Sequence, residues 1–185
     1  MAENVIEIPG YIPGKWELDP VHTDISFTVR HMMVSKVRGH FTDFDGTIVT
    51  ADNPLESSVQ VNVRLNSINT ANEDRDNHLR SADFFEIEKF PTMSFTSTGV
   101  RAVGSDFELD GELSLHGVTK PIVLKLEVNG FSKDPYGGTR SGFSASGEIS
   151  RKDFDIVFNM PIDGGGVVVG EKVSIHLEVE AILQG

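Results

Sequence analysis

The sequence predicts an all-β fold, an eight-stranded antiparallel up-and-down barrel with one helix inserted between strands three and four. Three observations predict it. Apolar and polar residues alternate with period two through eight segments; turn residues fill most of the links between them; and one charged stretch, Glu73–Phe85, abandons that period.

Residues 1–15 carry Pro9-Gly10 and Pro13-Gly14 around Tyr11 and Ile12, the composition of an irregular arm, which leaves 16–185 as the barrel domain. Ile25, Phe27 and Val29 then alternate with Ser26, Thr28 and Arg30, predicting a first strand over 22–31. A second is expected over 39–50. There Phe41 and Phe44 have opposite parity, and Asp45-Gly46 marks the expected bulge. Val59, Val61, Val63 and Leu65 share a face in a third strand, 57–68, after the turn residues Asp52-Asn53-Pro54.

Thr70-Ala71-Asn72-Glu73 has the spacing of a capping box, and Asp76 and Arg80 stand four apart, so a helix is expected over about 71–82. Pro91 returns the chain to extended geometry. The insert reads either as a surface crossover covering one barrel end or as a lid, with Phe84, Phe85 and Phe90 guarding a mouth. Five further strands follow, over 92–101, 106–116, 119–131, 139–150 and 171–183; Gly104-Ser105, His116-Gly117 and Pro135-Tyr136-Gly137-Gly138 supply turns. One apolar and one wet face per segment is the pattern of antiparallel sheet. Closure removes the edges of such a sheet. Strands of about eleven residues, tilted by about 40°, make a barrel roughly 28 Å tall. A filled and a hollow barrel carry the same alternation.

The totals narrow the function. The chain has 185 residues, no cysteine and a net charge of −12. It therefore has no disulfide, no thiolate nucleophile and no thiolate metal site. Its acidity argues against a general nucleic-acid binder and against adsorption to anionic lipid by bulk electrostatics. The N-terminal residues lack the basic and apolar regions of a signal peptide, and no apolar run has membrane-spanning length, so a soluble cytoplasmic protein is expected.

Chemical motifs are sparse. His22, His31, His40, His78, His116 and His176 form no HExxH and no compact ligand set, so no metal is expected. His116 reads as a turn residue and His176 as one on a wet face. No GxSxG or SxxK is present. Asp43 and Asp45 read as solvated carboxylates. Gly164-Gly165-Gly166 with Gly170 lacks the lysine-serine ending of a phosphate loop and reads as a flexible connection.

Four segments, taken together and in order, carry a family resemblance. DPVHTDISFTVRHMMVSKVRGHFTDFDGTI, RDNHLRSADFFEIEKFPTMSFTST, DGELSLHGVTKPIVLKLEV and SRKDFDI resemble the motifs of the YceI-like, polyisoprenoid-binding family, over about Trp16 to Leu183. The resemblance implies an extended lipocalin-like barrel whose lumen takes a long-chain isoprenoid or another amphiphilic lipid, and a homodimer. It also implies relatives that carry secretion signals, which this chain lacks in its N-terminal residues.

With that ligand, the residues expected at the lumen are Phe27, Val29, His31, Phe44, His78, Phe84, Phe85, Phe95, Leu113, Leu115 and Phe143. His22, Arg30 and Arg80, with His31 and His78, are expected as polar groups at a mouth that fix which end of the ligand faces water. No cofactor and no catalysis are expected. The competing reading is an enzyme acting on an isoprenoid or quinone-like lipid through Asp76, His78 and Arg80.

Overall fold

The computed structural model describes residues 7–32, 34–159 and 169–185. Eleven strands form one antiparallel sheet. They are β1 (Gly14–Leu18), β2 (Asp24–His31), β3 (Ser35–Phe41), β4 (Phe44–Thr50), β5 (Ser58–Arg64), β6 (Ile68–Asn69), β7 (Thr92–Val103), β8 (Asp106–Leu115), β9 (Val118–Lys133), β10 (Thr139–Ser150) and β11 (Val169–Leu183). Three pairs are halves of single bent staves. β1 and β2 both pair with β11; β4 pairs with β1 and β3 with β2; β6 continues β5 and pairs with β3. The result is eight staves, each joined to its sequence neighbours, with the first closing on the last through Trp16–Leu183 and Ile25–Leu177. The expected closed up-and-down barrel is the one found.

Sequence explains the bends. The first stave breaks at Asp19–Thr23, where Pro20 cannot donate to a ladder. The second breaks at Thr42-Asp43, not at Asp45-Gly46. That two-residue break lets Phe41 and Phe44, three apart, both turn inward and be buried. Gly46 stays in register with Val61, and a Cβ there would lie 2.8 Å from Leu18 Cδ1. Two bulges change parity the same way. An extra residue near Thr98 turns both Phe95 and Val100 inward. Asn129, with Gly130 at φ +148°, does so for Val128 and Phe131.

Two expected boundaries shift. Gly14 and Lys15, assigned to the arm, belong to β1, because Trp16 is fully buried and its Nε1 donates to Thr50 Oγ1 at 2.8 Å. The described part of the arm is anchored too: Tyr11 Oη donates to the Ala51 carbonyl at 2.5 Å, and its ring stacks edge-on against Phe131. The second stave begins at Ser35, not 39, as the far arm of a hairpin with β2. The glycine run 164–166 lies outside the described residues.

The insert is helix α1 (Glu73–Arg80), shorter than expected. Ala71 has φ +62°, which no helix accommodates, so the cap is Asn72, whose Oδ1 accepts from Arg75 N at 3.0 Å. Thr70 serves otherwise. Its N–H and hydroxyl both donate to the buried Asp76 carboxylate, at 2.9 and 2.5 Å, while Arg75 Nε donates to Oγ1 at 2.8 Å. Asp76 is thus occupied, and the expected Asp76–Arg80 pair does not form. Arg80 instead donates to the Asn66 and Ile68 carbonyls and to Asn77. The charges that interrupt the strand pattern tie the insert to β6.

Candidate functional site

The barrel encloses a cavity of about 250 Å³. Its wall runs from Ile8 and Tyr11 of the arm, at one end, to Leu79, Phe84 and Phe85 of the insert at the other. Between them stand the inward residues of every stave, among them Val61 and Val63 of β5, Leu113 and Leu115 of β8, Leu124 and Leu126 of β9, and Ile175 and Leu177 of β11. Among the described lining residues, Tyr11, a few serines, Thr50 and Arg151 alone are able to form side-chain hydrogen bonds.

The hollow has a cause in the sequence: glycines occupy inward positions. Gly39 pairs with Phe27, and a Cβ on Gly39 would stand 2.5 Å from Phe27 Cζ. A Cβ on Gly111 would stand 2.3 Å from Phe95 Cζ, and one on Gly147 would stand 2.7 Å from Leu124 Cδ2. Each glycine lets a neighbouring side chain lie flat on the wall instead of projecting into the bore. The same positions filled by valine or leucine would give a solid interior.

Eight of the expected lumen residues line this cavity: Phe27, Val29, Phe84, Phe85, Phe95, Leu113, Leu115 and Phe143. Phe44 is buried in the core but is not on the cavity wall. His31 and His78 are not on it either. His31 ends β2 opposite Ser35 and Val169. His78 packs edge-on against Phe84 and Phe158, while its Nε2 meets Asp83 Oδ2 at 2.8 Å, outside the bore. The lid trio also divides. Phe84 and Phe85 plug the cavity end, whereas Phe90 packs against His116 and Gly117 of the β8–β9 turn. His116 is the turn residue expected, at φ 55°, and its Nδ1 donates to the Phe154 carbonyl at 3.0 Å.

The polar mouth does not assemble. Arg30 sits near the far end of β2, facing Gly170, and Arg80 lies on the insert. His22 lies in the break between β1 and β2, where Nδ1 is 2.7 Å from Asp19 Oδ2 and 3.2 Å from Glu180 Oε2. These three residues have the spacing of a metal-ligand set. Arg140, however, already bridges the same two oxygens, with Nη1 2.6 Å from Asp19 and 2.8 Å from Glu180, while its Nε holds Asp134 at 3.0 Å. Burial pushes the Asp19 carboxyl up, but hydrogen bonds from His22, Arg140 and the Val21 N–H outweigh it and bring the pKa to about 2. The cluster fastens β1, β10 and β11 together. Asp76, His78 and Arg80 likewise face three different sets of partners, so they form no joint catalytic group.

Arg151 has no place among the expected site residues. It follows β10 in a short 3-10 helix, Arg151–Phe154, is buried, and reaches the cavity wall. Its guanidinium donates to four carbonyls, those of Gly170, Ile156, Phe158 and Val169, at 2.8–3.2 Å. Burial pushes its pKa below the ordinary arginine value. The signal available was its position in SRKDFDI, a motif that carries the family resemblance.

A closed antiparallel barrel around an apolar bore, plugged by a helical insert, defines a lipocalin-like protein. The YceI-like domain profile matches residues 16–181, and the chain belongs to that family. It is 38% identical to the Protein YceI of Salmonella newport over 164 residues, 88% of this chain and 83% of that protein. The Campylobacter jejuni YCEI crystal structure superposes with a TM-score of 0.73 at 33% identity, covering 91% of this chain and 97% of that one. A structure described as a polyisoprenoid binding domain from Saccharophagus degradans, implicated in plant cell wall breakdown, superposes with a TM-score of 0.70 at 20% identity, covering 94% and 100%.

Proposed function

We propose that the chain binds one long, narrow amphiphilic lipid, a polyisoprenoid or a chain of similar girth, inside the barrel, and transports, stores or sequesters it without chemical change. The observation that carries this reading is the cavity itself: about 250 Å³, walled almost wholly by apolar side chains from arm to insert. Water gains few hydrogen bonds in such a space, whereas each methylene moved into it gains about 0.8 kcal/mol. Ten methylenes give about 8 kcal/mol before ordering costs, and a net gain of about that size corresponds to roughly micromolar affinity. The volume is that of about eight waters, so a long isoprenoid requires the plug at the insert end, Phe84 and Phe85, to swing aside. The description of the Saccharophagus degradans neighbour supports the ligand class, and the family resemblance supports a homodimer.

The test is solvent extraction of natively purified protein followed by mass spectrometry. The expected result is a prenyl or comparable long-chain lipid near one per barrel. Empty protein that also takes up no added isoprenoid overturns the proposal. The native mass in the same preparation checks the homodimer.

A further inference from the structure

The β2–β3 hairpin carries three cations that have no protein partner among the described residues. Arg30 stands directly opposite Lys36, and Arg38 follows opposite Thr28. All three are exposed and on the outer face, since Phe27 and Val29 between them face the cavity. Among the described residues none of them makes a hydrogen bond or ion pair. Like charges directly opposite on one sheet face are destabilising, so the Arg30–Lys36 pair calls for an anion from outside. Among the described residues, the carboxylates of the adjoining strands do not supply it: Glu171 is bound by Lys152 at 2.7 Å and Glu148 by Lys172 at 3.6 Å. Beyond these cations the hairpin ends in apolar side chains. Val34 is 86% exposed and Met32 44% exposed. Val157, 57% exposed, projects from the same barrel end, because Arg151 ties the carbonyls beside it to Val169, the partner of His31.

We propose that this hairpin tip docks on an anionic lipid surface, with Val34 and Met32 entering the headgroup boundary and Arg30, Lys36 and Arg38 meeting lipid phosphates and carboxylates. The spacing fits. Arg30 and Lys36 lie two residues behind Met32 and Val34, about 7 Å along the strands, and an interfacial segment buries its apolar side about 5–10 Å deep. An acidic protein partner would match the cations but would leave the apolar tip unexplained. The net charge of −12 opposes adsorption of the chain as a whole. Screening over about 8 Å confines the contest to the docked end, where Arg30, Lys36 and Arg38 outnumber the exposed Asp153 and Asp155 of the segment that carries Val157. Docking there sets Phe27 and Val29 of the cavity wall a few residues from the acyl layer. The inference stands whether or not the cavity holds a lipid.

Flotation with phosphatidylcholine vesicles, with and without phosphatidylserine, tests it. The wild-type chain is expected to float only with the anionic vesicles. The triple variant R30S/K36S/R38S is expected to lose about 100-fold in partitioning, since each cation near an anionic surface contributes about 1 kcal/mol. A second triple, K15S/K125S/K133S, changes net charge equally but away from the hairpin, and should float like wild type. Val34→Ser should weaken binding without changing charge. Absence of flotation in the wild-type chain, or equal losses in both triples, overturns the proposal. Concentration-dependent dimerisation abolished by R30S/K36S/R38S, without vesicle binding, would assign the tip to a second copy and also overturn it.

Discussion

Arg140 reaches across β11 to Asp19: its Nη1 lies 2.6 Å from Asp19 Oδ2 and 2.8 Å from Glu180 Oε2, joining the break in the first stave to the last two staves. The contact reinforces the closure of the barrel at this level, where the Asp19 N–H also donates to the Glu180 carbonyl at 2.8 Å and Thr23 Oγ1 exchanges hydrogen bonds with the Glu180 backbone. The Asp19 carboxyl titrates at about 2 in the folded protein, below its ordinary 3.8. A depressed carboxyl stabilises the fold fully above about pH 4, and the contribution is lost as the pH falls through about 2. It amounts to about 2 kcal/mol. Asp19→Asn is expected to cost about that much near neutrality. It should also flatten the loss of stability between about pH 4 and about pH 2, as read from urea midpoints along the pH series. A variant with the wild-type acid slope would remove Asp19 from the account.

Gly39 keeps the bore open opposite Phe27. The three atoms nearest a methyl group at Gly39 would all be side-chain atoms, Phe27 Cζ and Cε1 and Thr70 Cγ2. The ring is therefore the part that moves, and it moves into the cavity. Gly39→Ala is expected to keep the fold at a cost of about 1–3 kcal/mol, while reducing the length of prenyl chain retained. The measurement is lipid content by extraction beside thermal unfolding. Unchanged chain length with Phe27 still on the wall would show that the wall itself gives way.

The face assignment has a direct check in one hairpin. Phe95 lines the cavity, whereas Glu112, opposite Thr96 across the β7–β8 ladder, is exposed. Phe95→Asp puts an unpaired carboxylate in an apolar bore, which costs several kcal/mol and favours its protonated form. Lipid retention should fall well below that of Glu112→Lys, measured at temperatures giving equal folded fractions. Equal retention would place the ligand elsewhere.

The period-two pattern made the staves, their order and most of the lumen legible, because inward and outward faces impose opposite chemistry at every step. It misplaced what breaks the period. The break at Thr42-Asp43 has no glycine or proline, so Asp45-Gly46 drew the bulge instead. Ala71 gave no sign of its left-handed backbone, which Asn69 supports by accepting its N–H at 2.8 Å. The polar mouth failed for a different reason. His22, Arg30 and Arg80 are separate in space, and sequence proximity to matched motifs carries no information about which barrel end a residue occupies. Gly39 and Gly111 were visible at inward parity, between Val37 and Phe41 and between Leu109 and Leu113. Their meaning, a flat aromatic beside each, needed the register.

Ala71 offers a gain in stability. Its φ of +62° brings a Cβ against the following carbonyl, at about 1 kcal/mol for a non-glycine residue. The residue is exposed, so its methyl group has no buried neighbours to lose. Ala71→Gly is expected to gain about 0.5 kcal/mol once the added freedom of the unfolded chain is subtracted. Denaturant unfolding should show a higher midpoint at unchanged slope. A lower midpoint would mean that unfolded-chain entropy outweighs the strain.

Arg151 holds the end of the barrel opposite the arm. Its four carbonyl partners come from three places in the chain: the start of β11, Ile156 and Phe158. A planar fork with fixed donor directions meets all four at once; an ammonium has three donors diverging from one atom. Arg151→Lys therefore keeps the charge but leaves buried carbonyls unpaired, at about 1–3 kcal/mol each. The expected result is a loss of about 3 kcal/mol or more in denaturant unfolding. Hydrogen exchange should quicken first in β11 near Val169 and Gly170 and at Ile156, while the Trp16 end of the barrel stays protected. Exchange that quickens evenly around the barrel would mean that the guanidinium is not the clamp and that the cavity end is held by Phe84 and Phe154 packing alone.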